Sequence, residues 1–127
     1  MHSWKQQNTR SRLRLFLSKN WVAILNEKLV RDKIPDIIRE KGETPIVRIA
    51  GPDELDVLLR EKIVEEAKEF LFSGDTEELV DIQEAIDALL ELRKADPALI
   101  EIIRHSKYLA RGGFTQGYVL ISDTEEE

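Results

Sequence analysis

The chain has no cysteine in its 127 residues. It can therefore build neither a disulfide framework nor a thiolate metal site, and nothing argues for an oxidising compartment; the expected location is cytoplasmic. Histidine is nearly as scarce. Neither His2 nor His105 has a second histidine or acid at ligand spacing in a convincing context, so both read as bystanders. Long apolar runs are missing as well. Residues 13–17 and 21–25 are largely apolar, but Ser18, Lys19 and Asn20 interrupt them, and each run is too short for a membrane span or a signal-peptide core. Trp21, inside the second run, reads as a packing residue. There is no internal repeat, and no low-complexity tract apart from the acidic end. Acids are absent from the first 25 residues, where Lys5, Arg10, Arg12, Arg14 and Lys19 give +5; since the net charge is −6, the remaining 102 residues carry −11. That acidic body is a poor nucleic-acid surface, and neither nucleic acid nor membrane is an expected partner.

What is present fits one small domain. With 42% hydrophobic residues, the core is modest and suited to completion by a second subunit. Three stretches follow: a basic N-terminal arm over residues 1–25, a main domain over 26–121 and an acidic tail over 122–127. The arm reads as a poorly ordered leader, a basic helix docked on the body, or upstream sequence from a mis-chosen start. In residues 26–42, Pro35 suits the first turn of a helix that closes at Gly42. Residues 44–50 (TPIVRIA) are β-branched and extended in character, and Gly51, Pro52 and Asp53 end them. A long helix is expected over 53–72, with Leu55, Leu58, Leu59, Ile63, Ala67 and Phe70 as its apolar stripe and Glu61, Lys62, Glu65, Glu66 and Glu69 in the polar positions. A second is expected over 76–95, with Leu79, Ile82, Ile86, Leu89 and Leu90 apolar, and a third over 97–109. The expected fold is all-α: a helical bundle built on an antiparallel helix hairpin, with short extended segments near 44–50 and 118–121.

The hairpin carries the chemistry. Glu66 and Glu69 are three apart on the first long helix and Glu78 and Asp81 three apart on the next, so each pair shares a helix face. If the chain reverses at Ser73, Gly74 and Asp75, Glu69 comes level with Glu78 and Glu66 with Asp81, because both pairs have the same midpoint. Four carboxylates so gathered repel one another unless a cation lies between them. Hard oxygen donors without histidine or cysteine favour Mg²⁺, with Mn²⁺ as a substitute, over Zn²⁺. The plainer reading is a solvated acidic face, with Asp75 and Glu78 as a capping box. Glu84 and Asp87 repeat the spacing, but pairing them with Glu69 and Glu66 would put the turn inside the second helix.

Four segments in order, KLVRDKIP (28–35), EKIVEEAKEF (61–70), EELVDIQEAI (77–86) and RGGF (111–114), resemble the MazG-like all-α nucleoside triphosphate pyrophosphohydrolases, in particular the small phosphoribosyl-ATP pyrophosphohydrolase-like branch. The resemblance covers residues 26–121. It implies Mg²⁺-dependent cleavage of a nucleotide between the α- and β-phosphates, with Glu66, Glu69, Glu78 and Asp81 as metal ligands and Glu65 as an auxiliary ligand or water-orienting base. Only eight residues separate Glu69 from Glu78, fewer than in longer members, so a tighter hairpin is expected.

Phosphate also needs cations, and the candidates are Arg31 and Lys33 in the opening motif, Lys62, and Lys107 and Arg111 near the tail. Lys62 is equally an ordinary i,i+4 partner of Glu66, and Asp32 either orients Arg31 or Lys33 or salt-bridges on the surface. Gly112 and Gly113 would let backbone N–H groups approach phosphate, with Phe114 packing on a base; the alternative is a helix C-cap followed by a core aromatic. The expected assembly is a homodimer or homotetramer. The competing functional class is a non-catalytic helical module, either a Mg²⁺-nucleotide sensor or a protein-interaction domain.

Overall fold

The computed structural model describes residues 27–122, and within them the chain is all-α. The helices there are α1 (Ile34–Glu40), α2 (Pro52–Ser73), α3 (Thr76–Leu92) and α4 (Pro97–Arg111). The arm expected over 1–25 and residues 123–127 of the tail lie outside the described residues. The segments 44–50 and 118–121 are non-helical and join no sheet among the described residues. No helix among those residues is long and apolar enough to cross a membrane.

Helix boundaries follow from local chemistry. Prolines stand in the first turns of α1, α2 and α4, where a missing N–H costs nothing. Gly74 ends α2 in the left-handed region at φ 68°, and its N–H donates to the Phe70 carbonyl at 2.8 Å. Asp96 caps α4, its carboxylate accepting from the Ala98 N–H at 3.0 Å. The expected helix over 76–95 closes at Leu92, because Lys94 turns to φ 57° and breaks the repeat. The capping box considered for Asp75 and Glu78 does not form. Instead the Ser73 hydroxyl donates to Glu78 at 2.6 Å and accepts from the Asp75 N–H at 3.0 Å.

The chain divides into two compact units, one running to Lys94 and one from Ala95. In the first, α2 and α3 pack together as a hairpin. Its register can be read from side chains: Arg93 pairs with Asp56, and the midpoint of those positions falls between Gly74 and Asp75, close to the expected reversal. The buried apolar residues are Val57, Leu58 and Leu59 of α2 and Ala85 of α3, with Val57 only 1% exposed. Several details depart from the sequence reading. Val57 lies outside the expected stripe, whereas Ala67 and Leu79, expected to pack, are exposed. Glu54, Glu61 and Glu66 are buried. Glu54 and Glu61 share the face of α2 that carries Val57 and Leu58, at spacings of three, four and seven along the helix, whereas Glu66 lies five residues beyond Glu61 on another face. Burying a carboxylate requires compensation, and Arg48 supplies it to Glu54 through two hydrogen bonds of 2.9 and 2.7 Å. Arg48 also reaches Glu27 at 2.8 Å, and its guanidinium is pushed well above its usual range chiefly by the bonds to Glu54, then by those to Glu27.

In the second unit α4 has no buried residue; Leu99, Ile102, Ile103, Tyr108 and Leu109 are all exposed.

Candidate functional site

The acidic residues singled out above occupy the last turns of α2 and the first turns of α3, on either side of the Gly74 reversal. Glu69 records how close they stand. Desolvation by the packed surroundings, then the negative charges of Glu66, Glu78 and Glu65, push its carboxyl above the usual range, with Lys62 acting against them. Glu69 and Glu78, on different helices, are thus electrostatic neighbours, as the hairpin register requires. Glu66 is buried and Glu65 half-buried, while Glu69 is exposed.

Each of the other acids is engaged by a polar or cationic group of the chain. Lys62 Nζ lies 3.6 Å from Glu65 and 3.5 Å from Glu66, so it serves both neighbours rather than Glu66 alone. Lys28 Nζ approaches Glu65 from before α1 at 3.2 Å. Arg31 donates to Asp81 Oδ1 at 2.8 Å, across fifty positions of sequence. Ser73 holds Glu78. In this arrangement no group of three or more acidic or histidine side chains is gathered around one ion position among the described residues.

Two contributors were not foreseen from sequence. Lys28 opens the KLVRDKIP segment, and no local spacing links position 28 to position 65. Ser73 read as part of a turn, although its hydroxyl lies within reach of the first turn of the next helix. Arg31 stands with the acids as a cation was expected to, whereas Lys33 is the exposed residue that precedes α1. Asp32 is exposed as well.

Lys107, Arg111, Gly112, Gly113 and Phe114 belong to the second unit. Lys107 and Arg111 are exposed on α4. Gly112 ends that helix at φ 81° and ψ −177°, a conformation essentially confined to glycine, and its N–H donates to Tyr108 at 2.7 Å. A Cβ at Gly113 would meet the Tyr108 ring at 3.3 Å. The C-cap reading therefore holds for Gly112. The core-aromatic reading of Phe114 does not, since that residue is 97% exposed.

No family model matches the chain. A curated relative from Mycolicibacterium smegmatis, described as an uncharacterised protein, is 45% identical over 49 residues, which is 39% of this chain and 49% of the relative. The chain thus spans about half the length of that relative. No solved structure matches.

Proposed function

We propose that the chain is a Mg²⁺-dependent nucleotide pyrophosphohydrolase of the MazG-like kind, cleaving between the α- and β-phosphates to release a monophosphate and pyrophosphate. The observation that carries this reading is the placing of Glu65, Glu66 and Glu78 about Glu69, whose carboxyl is raised first by desolvation and then by the charges of Glu66, Glu78 and Glu65. Crowded oxygen donors with no sulfur or imidazole among them suit a hard divalent cation. Glu66, Glu69, Glu78 and Asp81 would hold it, and Mn²⁺ would substitute. The cation, when bound, supplies charge neutralisation and Lewis acidity towards the phosphates.

The chain's own groups do the remaining work. Glu65, with Lys62 beside it on the same helix, would orient the attacking water and accept its proton. Arg31 and Lys62 are paired with acids of the cluster and would bind phosphate oxygens. Lys33 is a further proposed substrate contact of the first unit; within the second unit, Lys107, Arg111, Gly112, Gly113 and Phe114 are proposed as substrate contacts from the resemblance, Phe114 with an exposed ring.

The proposed assembly is a homodimer or homotetramer. The exposed apolar side chains of α4 and the sparse core of the hairpin support a partner copy, and sedimentation velocity of the whole chain tests it.

The functional test is pyrophosphate release from standard and modified nucleoside triphosphates and phosphoribosyl-ATP, with Mg²⁺ and with chelator. Release that requires Mg²⁺ is the expected result. Mg²⁺-nucleotide binding without release would mark a sensor instead. Indifference to both would return the acids to a solvated face.

A further inference from the structure

Lys28 and Arg31 lie three residues apart in the segment before α1, yet each reaches a different helix of the hairpin. Lys28 pairs with Glu65 of α2 and Arg31 with Asp81 of α3. One short stretch of chain, a strap, therefore joins the two acidic helix ends by an ion pair to each. Both cations are about half-exposed, with room to swing into solvent, whereas Lys62 is three-quarters covered and fixed on α2.

We propose that Lys28 and Arg31 are resident counter-ions that a divalent cation displaces, and that once displaced they become the binding groups for the anionic phosphates of the substrate. This rests on the metal-site reading above. The charge count favours the exchange. Five carboxylates, Glu65, Glu66, Glu69, Glu78 and Asp81, are opposed by Lys28, Arg31 and Lys62. Replacing the two strap residues by one divalent cation leaves the charge of the cluster unchanged, so the acids lose no neutralisation. Two cationic side chains then stand beside the acids with their partners taken. Binding is ordered as a result: the metal, free or carried by the nucleotide, engages the acids before the strap can engage phosphate. Metal-free protein holds nucleotide weakly, because its nearest cations are occupied and its acids repel the phosphates.

The test uses the full chain without turnover. Mn²⁺ binding is followed through the electron paramagnetic resonance of the free ion in wild type, Lys28→Gln, Arg31→Gln and the double variant. Removing a competing ion pair should tighten Mn²⁺ binding about two- to fivefold per residue and more in the double variant. The same double variant should lose affinity for a non-hydrolysable nucleoside triphosphate analogue in the presence of Mg²⁺. Equal or weaker Mn²⁺ binding by the variants overturns the exchange while leaving the metal site standing. No Mn²⁺ binding by wild type or any variant overturns the metal reading itself.

A second measurement needs no substitution and so does not depend on the variants folding. The Arg31 guanidinium N–H resonances, restrained by the bond to Asp81, should shift and narrow towards those of a freely rotating group on Mg²⁺ titration. Resonances unmoved at saturating Mg²⁺ would overturn the displacement.

Discussion

Arg93 grips Asp56 through two hydrogen bonds, Nε to Oδ2 at 2.7 Å and Nη2 to Oδ1 at 3.0 Å, at the end of the hairpin away from the acidic cluster. Arg60, one turn along α2, donates to the same carboxylate at 3.0 Å. The bonds to Arg93, more than the nearby charge of Arg60, hold the Asp56 carboxyl below its usual range. A lowered carboxyl contributes stability that is present above the ordinary aspartate range and lost as the pH falls through the lowered value. The Asp56→Asn variant should therefore melt below wild type near neutral pH, with the difference closing under acid. Thermal unfolding followed by circular dichroism between about pH 7 and pH 2 checks this; a constant difference would remove Asp56 from the linkage.

Glu69 predicts the opposite sign. Its carboxyl is raised, so its charge opposes folding above the ordinary glutamate range, and Glu69→Gln should raise the melting temperature of the metal-free chain by about 2 °C near neutral pH. The same variant should lose most of the stabilisation that added Mg²⁺ gives wild type. Melting curves with Mg²⁺ and with chelator measure both effects.

Combining Glu69→Gln with Asp81→Asn should reduce Mg²⁺-dependent pyrophosphate release by about 100-fold or more, since two proposed ligands are removed while size is kept. Initial rates at saturating nucleotide, on variants shown to keep wild-type helix content, provide the comparison.

Arg48→Met keeps much of the side-chain volume but takes the guanidinium from buried Glu54. A loss of about 1–3 kcal/mol is expected from chemical denaturation, less than for a fully buried pair because Arg48 itself is half-exposed.

Deleting residues 1–25 should leave most of the hydrolysis intact, because every proposed site residue lies beyond the arm. Loss of hydrolysis with retained helix content would give the arm a part in the site.

The sequence made the helices legible where punctuation was strong. Pro52 and Gly74 frame α2, and Asp96 with Pro97 opens α4, because proline and left-handed glycine act within a residue or two of where they stand. The place of the hairpin turn was legible too, since Gly74 ends α2 within the expected breaker and α3 starts at Thr76. The buried acids were not. A periodicity reading assigns glutamate to the outside, and Glu54 is buried through an arginine that precedes its helix. Val57 was missed for a related reason: the face it shares with Glu54 and Glu61 looks polar in one dimension. Contacts such as Lys28 with Glu65 and Arg31 with Asp81 depend on how the strap returns across both helices, which local pattern does not encode. The early end of α3 escaped because Lys94 is an ordinary helix former that here adopts a left-handed backbone.

The unequal lengths of the two long helices set where the hairpin opens first. α2 has 22 residues against 17 in α3, and with the reversal at Gly74 its opening turn extends past Leu92, where α3 stops. That turn meets only the end of α3, Pro52 and Asp53 lining one hollow with Leu92 and Arg93, and Arg48 and Arg93 pin Glu54 and Asp56 there. Its amide hydrogens should be the first in α2 to exchange with deuterated solvent, and their exchange rates would report the grip of two arginines rather than the strength of the core.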